Sequence, residues 1–170
     1  MVNQQMLQKL NEQLQKEFFS AYLYLSMEAY LRSLNLDGFA NWFHVQAQEE
    51  RDHAMAFFRY IHKVGGSVVL GAIQQPQTAF SGSQEIFEIS LQHEQSVTKS
   101  IHGLMDLAQE LRDHTSQVFL HWFITEQAEE EESIGRILNK LKLIKGDGAG
   151  LFMIDNELAQ RVYTAVVIPV

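Results

Sequence analysis

The chain of 170 residues contains no cysteine. Disulfides, zinc–thiolate sites, iron–sulfur clusters and thiol catalysis are thereby excluded. Any metal must be held through oxygen and nitrogen, donors that suit iron, manganese, zinc or magnesium. Proline is scarce too: the two residues, Pro76 and Pro169, both fall outside the stretches of helical period. No run of about 18 apolar residues occurs, so no membrane span is expected. The first six residues show no basic region followed by an apolar run, so no signal peptide is expected and the cytoplasm is the expected location. Positive charge is in short supply, with 13 Lys and Arg against 21 Asp and Glu and a net charge of −8. That balance argues against a nucleic-acid partner and suits the gathering of cations.

What is present is a globular composition, 46% hydrophobic and 11% aromatic, in a length that suits one domain over residues 1–170. Four long segments carry helical period, at about 4–34, 39–64, 84–111 and 115–143, with a shorter one at about 151–165. Asn35-Leu36-Asp37-Gly38 separates the first two, with Asp37 a candidate N-cap; Gly65-Gly66 ends the second. Residues 65–83 lack period. A helix of the second segment's length spans about 40 Å, and a loop of this length reaches about 60 Å. The loop can therefore cross the full length of a bundle, making the second and third helices parallel. Short turns make the first and last pairs antiparallel. The fold class is all-α: a four-helix bundle with one long crossover and a short fifth C-terminal helix. The apolar tail from Val166 to Val170 has no role legible from the sequence.

Polar residues interrupt the apolar stripes near the middle of all four long segments. The second has the stripe Phe39, Phe43, Gln46, Glu50, His53, Phe57, Ile61, in steps of three or four, so a carboxylate and an imidazole point into the expected core. Glu17 lies between Leu14 and Ala21 in the first segment, with Tyr24 on the same face. Glu94 replaces an apolar residue in the third, and Gln127 and Glu130 do so in the fourth. Matched depth puts Glu17, Glu50, His53, Glu94 and Glu130 in one layer. Four buried negative charges cannot be balanced by one imidazole, whereas two divalent cations balance them. Glu49, Glu126 and Glu129 flank this layer and offer, with Glu130, a third cation position. Taken singly, each residue has a plainer reading: a Glu-x-x-His pair is common, Tyr24 packs like any tyrosine, and Glu131 and Glu132 read as a solvated face. His44, His62, His93, His102, His114 and His121 read as surface or structural.

With these residues in place, the sequence resembles the ferritin family, specifically non-haem bacterial ferritins. The resemblance is carried by the Asn11-Glu12-Gln13-Leu14 region, Glu17, Tyr24, the Ala47-Gln48-Glu49-Glu50-x-x-His53 block, His93-Glu94, Glu126-Gln127-x-Glu129-Glu130 and Ile154-Asp155-x-Glu157-Leu158. It implies a ferritin-like bundle in a cage of about 24 subunits. It also implies oxidation of Fe(II) by dioxygen or hydrogen peroxide and storage as a ferric oxyhydroxide mineral. By position, one iron is assigned to Glu17, Glu50 and His53, and a second to Glu50, Glu94 and Glu130, with Gln127 nearby. A third iron is assigned to Glu49, Glu126, Glu129 and Glu130, and Tyr24 matches the tyrosine beside the pair. Bacterioferritins carry a second Glu-x-x-His where this chain has Gln127 and Glu130, and their haem-ligating methionine falls at Arg51, so no haem is expected. The channel acids of animal ferritins fall near Gln117, Leu120 or His121, so no entry channel carries over. Two rivals stand beside this reading: a non-storing di-iron or di-manganese oxygen enzyme on the same bundle, and a structural helical oligomer whose acids face solvent.

Overall fold

A computed structural model describes residues 2–168 of the chain; Pro169 and Val170, the end of the apolar tail, lie outside the described residues. Every regular element in them is an α-helix: α1 (Gln4–Ser33), α2 (Asp37–Lys63), α3 (Ser83–Glu110), α4 (His114–Ile144) and α5 (Gly148–Leu158). Asn3 caps α1 by accepting from Gln5 N, Asp113 caps α4 by accepting from Ser116 N, and Asp147 caps α5 by accepting from Gly150 N. The short turns bend through left-handed residues, Asn35 at φ 58° and Arg112 at φ 53°.

Two expectations need correction. Asp37 does not cap α2; it lies inside the first turn, after Leu36, which makes no side-chain cap bond. The carboxylate that meets this helix end comes from α5, where Asp155 Oδ1 accepts from Phe39 N at 2.9 Å. Gly38 permits the approach, since a Cβ there would lie 1.7 Å from the Asp155 carbonyl oxygen. The fifth helix runs from 148 to 158 and not from 151 to 165. Its cap sits at Asp147, and its far end is drawn off by Asn41, whose amide donates to Leu158 O, Ala159 O and Arg161 O. The chain beyond then lies along α2, with Tyr163 Oη and Val166 N both donating to Asp52 Oδ2. Ile168 ends buried in the core, which accounts for the start of the apolar tail.

Side-chain partners set the directions. Glu28 meets His44 across α1 and α2, Tyr24 meets Glu94 across α1 and α3, and Tyr60 meets Ser116 across α2 and α4. Farther along, Gln13 meets Ser100 and Gln46 meets Glu130, so α1 is antiparallel to α2 and α3, and α2 is antiparallel to α4. The crossover after α2 follows α1: Asn11 bonds Ser67 O and Val69 N, Gln15 donates to Ala72 O, and Ser26 donates to Gln77 O. A long loop without period is thus held by side chains that satisfy its backbone.

The core divides into two apolar clusters. One, toward the crossover end of α2, gathers Leu10, Leu14, Phe57, Tyr60, Ile101, Phe119 and Phe123. The other gathers Tyr24, Met27, Phe39, Phe43, Phe87, Ile134 and Leu141. Each fully buried side chain of this size contributes about 1.5–3 kcal/mol, which secures the helices on both sides of a costly polar layer. On α1 the observed face is rotated from the expected stripe. Leu25 is exposed, whereas Leu23, Tyr24 and Met27 are buried, because apolar residues on α1 occupy two faces and only one meets the bundle.

Candidate metal centre

Between the two clusters lie Glu17, Glu50, His53, Glu94, Gln127 and Glu130, none more than 5% exposed. Apolar clusters close the layer on both sides, so these side chains are withdrawn from water. Each carboxyl responds in the same direction. Burial raises Glu17 and Glu94 above the ordinary carboxyl value of 4.5 and raises Glu50 and Glu130 well above it. Mutual repulsion adds to the rise: Glu94 and Glu17 act on Glu50, and Glu50 and Glu94 act on Glu130.

The acids are partnered unequally. Glu17 Oε1 accepts from Gln13 Nε2 at 2.7 Å, and Glu50 Oε2 lies 3.5 Å from His53 Nδ1. Glu17, Glu50 and His53 each offer a ligand atom, and these atoms lie within 4.8 Å of one another. Glu94 is occupied differently: Tyr24 Oη donates to its Oε1, and Gln127 Nε2 donates to its Oε2 at 2.9 Å. Glu130 Oε2 accepts from Gln46 Nε2 at 2.5 Å. Glu50, Glu94 and Glu130 therefore do not converge as a triad. The second convergence is His53, Glu126 and Glu130, again within 4.8 Å, with His53 Nε2 and Glu126 Oε1 3.8 Å apart.

His53 is the pivot of both groups. Its ring packs edge-on to Trp122 and Phe123. Its Nε2 is the one buried side-chain polar atom among the described residues without a hydrogen-bond partner. A buried polar atom left unpaired costs about 1–3 kcal/mol, and a ring nitrogen that faces a carboxylate across 3.8 Å leaves a gap that a cation fits. A neutral imidazole coordinates through one nitrogen at a time, so the two triads are alternative uses of the same ring.

Of the four residues assigned to a third cation, Glu130 is buried, Glu49 and Glu126 are half-buried, and Glu129 is exposed. Burial raises both Glu49 and Glu126. Glu126 and Glu130 face His53, but Glu49 is paired with Arg161, whose Nη2 lies 2.5 Å from its Oε2. Tyr24 is fully buried, and burial and the field of Glu94 push its phenol well above the usual range. His93 is half-buried, its Nε2 2.8 Å from Ser20 Oγ and its ring edge-on to Tyr24.

Gln13, Gln46 and Arg161 are supporting residues to which the sequence alone assigns no role at the site. Gln13 sits one turn before Glu17, a spacing that could have revealed it. Gln46 was on the stripe without a role. Arg161 has no local signal, being more than a hundred residues from its partner Glu49.

Comparisons with known proteins follow this geometry. The family model described as a ferritin-like domain matches residues 7–144. The bacterial non-heme ferritin of Staphylococcus saprophyticus is 38% identical over 163 residues, covering 96% of this chain and 98% of that protein. That of Staphylococcus aureus is 36% identical over the same length and coverage. Among solved structures, an engineered closed form of the Archaeoglobus fulgidus ferritin superposes with a TM-score of 0.95 at 42% identity, covering 96% of this chain and all of that one. The open-pore ferritin of the same archaeon gives 0.94 at 42% identity, with 95% and 98% covered.

Proposed function

Since the chain belongs to the ferritin family, we propose that it is an iron-storage protein with ferroxidase activity, taking Fe(II) as substrate and dioxygen or hydrogen peroxide as oxidant. The observation that carries this reading is the buried ring of His53, which belongs to two groups of carboxylates and has an Nε2 without a hydrogen-bond partner. An acid layer whose carboxyls are all raised by burial is relieved by cations, which displace the protons and supply the missing positive charge.

In this reading Glu17, Glu50 and His53 hold one ferrous ion. Glu50, Glu94 and Glu130 hold a second, with Gln127 beside them and Tyr24 donating to Glu94. Glu130 leaves the Gln46 amide and Glu94 leaves the Gln127 amide to do so. Two ferrous ions give one electron each. With two protons they reduce dioxygen to hydrogen peroxide; with hydrogen peroxide as oxidant, the same electrons and protons give water. The released ferric ions are hydrolysed and deposited as ferric oxyhydroxide. Glu49, Glu126, Glu129 and Glu130 form the outer position through which a third ion passes. No haem is involved. The mineral is enclosed by a closed homo-oligomer of about 24 subunits. No helix among the described residues is long and apolar enough to cross a membrane, and the cytoplasm is the proposed location.

Aerobic loading of metal-free protein with ferrous iron, followed by size-exclusion chromatography read for protein and iron, tests the proposal. Hundreds of irons are expected to elute with a particle of roughly half a megadalton, the mass of about 24 chains of 19.5 kDa. Iron held at about two per chain on a small oligomer would instead favour a non-storing oxygen enzyme. Iron precipitating as fast as in buffer would leave the buried acids with a structural role only.

A further inference from the structure

The segment after α5 brings one guanidinium to the edge of the acid layer. Arg161 stacks over the Trp42 ring at 4.6 Å from its centroid. Its Nη2 donates to Glu49 Oε2 at 2.5 Å, and its Nη1 donates to Gln46 Oε1 at 2.8 Å and to Trp42 O at 3.3 Å. The residue is held from both sides along the chain, by Asn41 on its own carbonyl and by Tyr163 on Asp52.

A guanidinium carries only donors and stays protonated. The oxygen of the Gln46 amide must therefore face Arg161, which leaves its nitrogen to donate to Glu130 Oε2 at 2.5 Å. One arginine thus acts on two acids of the outer position, on Glu49 by direct pairing and on Glu130 through an oriented amide. The acids grouped with His53 on this side are Glu126 and Glu130, without Glu49, and the His53 Nε2 that faces Glu126 has no hydrogen-bond partner.

We infer that Arg161 is a positioning residue that keeps the outer cation position closed, its charge standing in for the ion at Glu49 and its hold on Gln46 keeping Glu130 on a neutral donor. This rests on the metal-centre reading above and adds to it a control element supplied by the C-terminal segment. A third cation gains Glu49 only when Arg161 lets go. The guanidinium divides its bonds among Glu49, Gln46 and the Trp42 carbonyl, with an aromatic face behind it and only partial solvent access, Arg161 24% and Glu49 18% exposed at the side chain. Such a contact outlasts an ordinary surface ion pair.

Calorimetric titration of the metal-free, full-length protein with Zn(II) tests this without any oxidation chemistry. The wild type is expected to saturate at about two zinc ions per chain. Arg161→Gln is expected to take up one more, and Arg161→Gln combined with Glu49→Gln to return to the wild-type count. Glu49→Gln alone is expected to leave the count unchanged, because in the wild type Glu49 is already occupied. This last arm needs no change at Arg161 and so does not depend on how the tail docks in that variant. An Arg161→Gln count equal to the wild type, or a zinc lost in Glu49→Gln alone, would overturn the inference while leaving the dinuclear reading intact. A wild type that takes up no zinc would overturn both.

Discussion

The α1–α2 wall and the α3–α4 wall of the polar layer carry nearly the same inventory of acids in two different states. On the first wall Glu17, Glu50 and His53 converge on one another, and His53 keeps a nitrogen with no partner. On the second, Glu94 is held by Tyr24 and Gln127, and Glu130 is held by Gln46 from across the bundle. The difference lies in the donors available. On the first wall one carboxyl, Glu17, is held by the Gln13 amide while Glu50 lies beside the His53 ring, whereas amides and a phenol satisfy both buried carboxyls of the second. In the proposed reading the first wall is the readier cation position, and the second, which would have to give up hydrogen bonds to bind, is the weaker and more exchangeable one.

If the walls differ in this way, replacing His53 has the largest consequence. His53→Ala is expected to lower the initial rate of aerobic ferrous oxidation by more than about a hundredfold, beyond the roughly 10–100-fold effects typical of partners that only support a ligand. Glu94→Gln is expected to cost on the order of tenfold to a hundredfold. Equal losses in the two variants, followed by the absorbance of ferric product, would erase the distinction between the walls.

The walls agree in one respect, which gives a smaller and separable effect. All four buried carboxyls are raised, so between the unfolded value of 4.5 and the raised ones the folded chain binds more protons than the unfolded chain. Their contribution to stability is fully present below 4.5 and is lost as pH rises through the raised values. The melting temperature of chelator-treated protein should therefore fall as pH rises above 4.5 and through the raised values. Glu50→Gln and Glu130→Gln should each flatten that slope. A melting temperature that climbs over this range would contradict the burial of charge in both walls. The smallest effect is expected for Tyr24→Phe, which removes one donor from Glu94: a stability change of about 1 kcal/mol by thermal unfolding, and less than about a tenfold change in oxidation rate.

Much of the architecture was legible in advance because it is periodic. The stripes through Phe39, Glu50 and Phe57, through Phe87, Glu94 and Ile101, and through Phe123, Glu130 and Leu141 are all buried as their spacing requires. The crossover's length left few choices but to run along the bundle. The first segment was harder to read, since Leu25 and Tyr22 extend its apolar character onto an exposed face. The fifth helix was misplaced because its true start is a capping aspartate inside a glycine-rich turn, and its end is decided by Asn41 on another helix.

By itself the sequence determined which residues share a helix face and at what depth, because helical spacing is a local property of the chain. That sufficed to put five ligand-type side chains in one buried layer and to require countercharge there. Tertiary structure alone decided how those side chains are partnered. That His53 serves two groups of acids, that Glu94 and Glu130 rest on neutral donors, and that Asp155 meets the start of α2 and Arg161 takes Glu49 all depend on contacts between residues far apart in the chain. Such contacts carry no local period, and only the packed helices bring their atoms within hydrogen-bond distance.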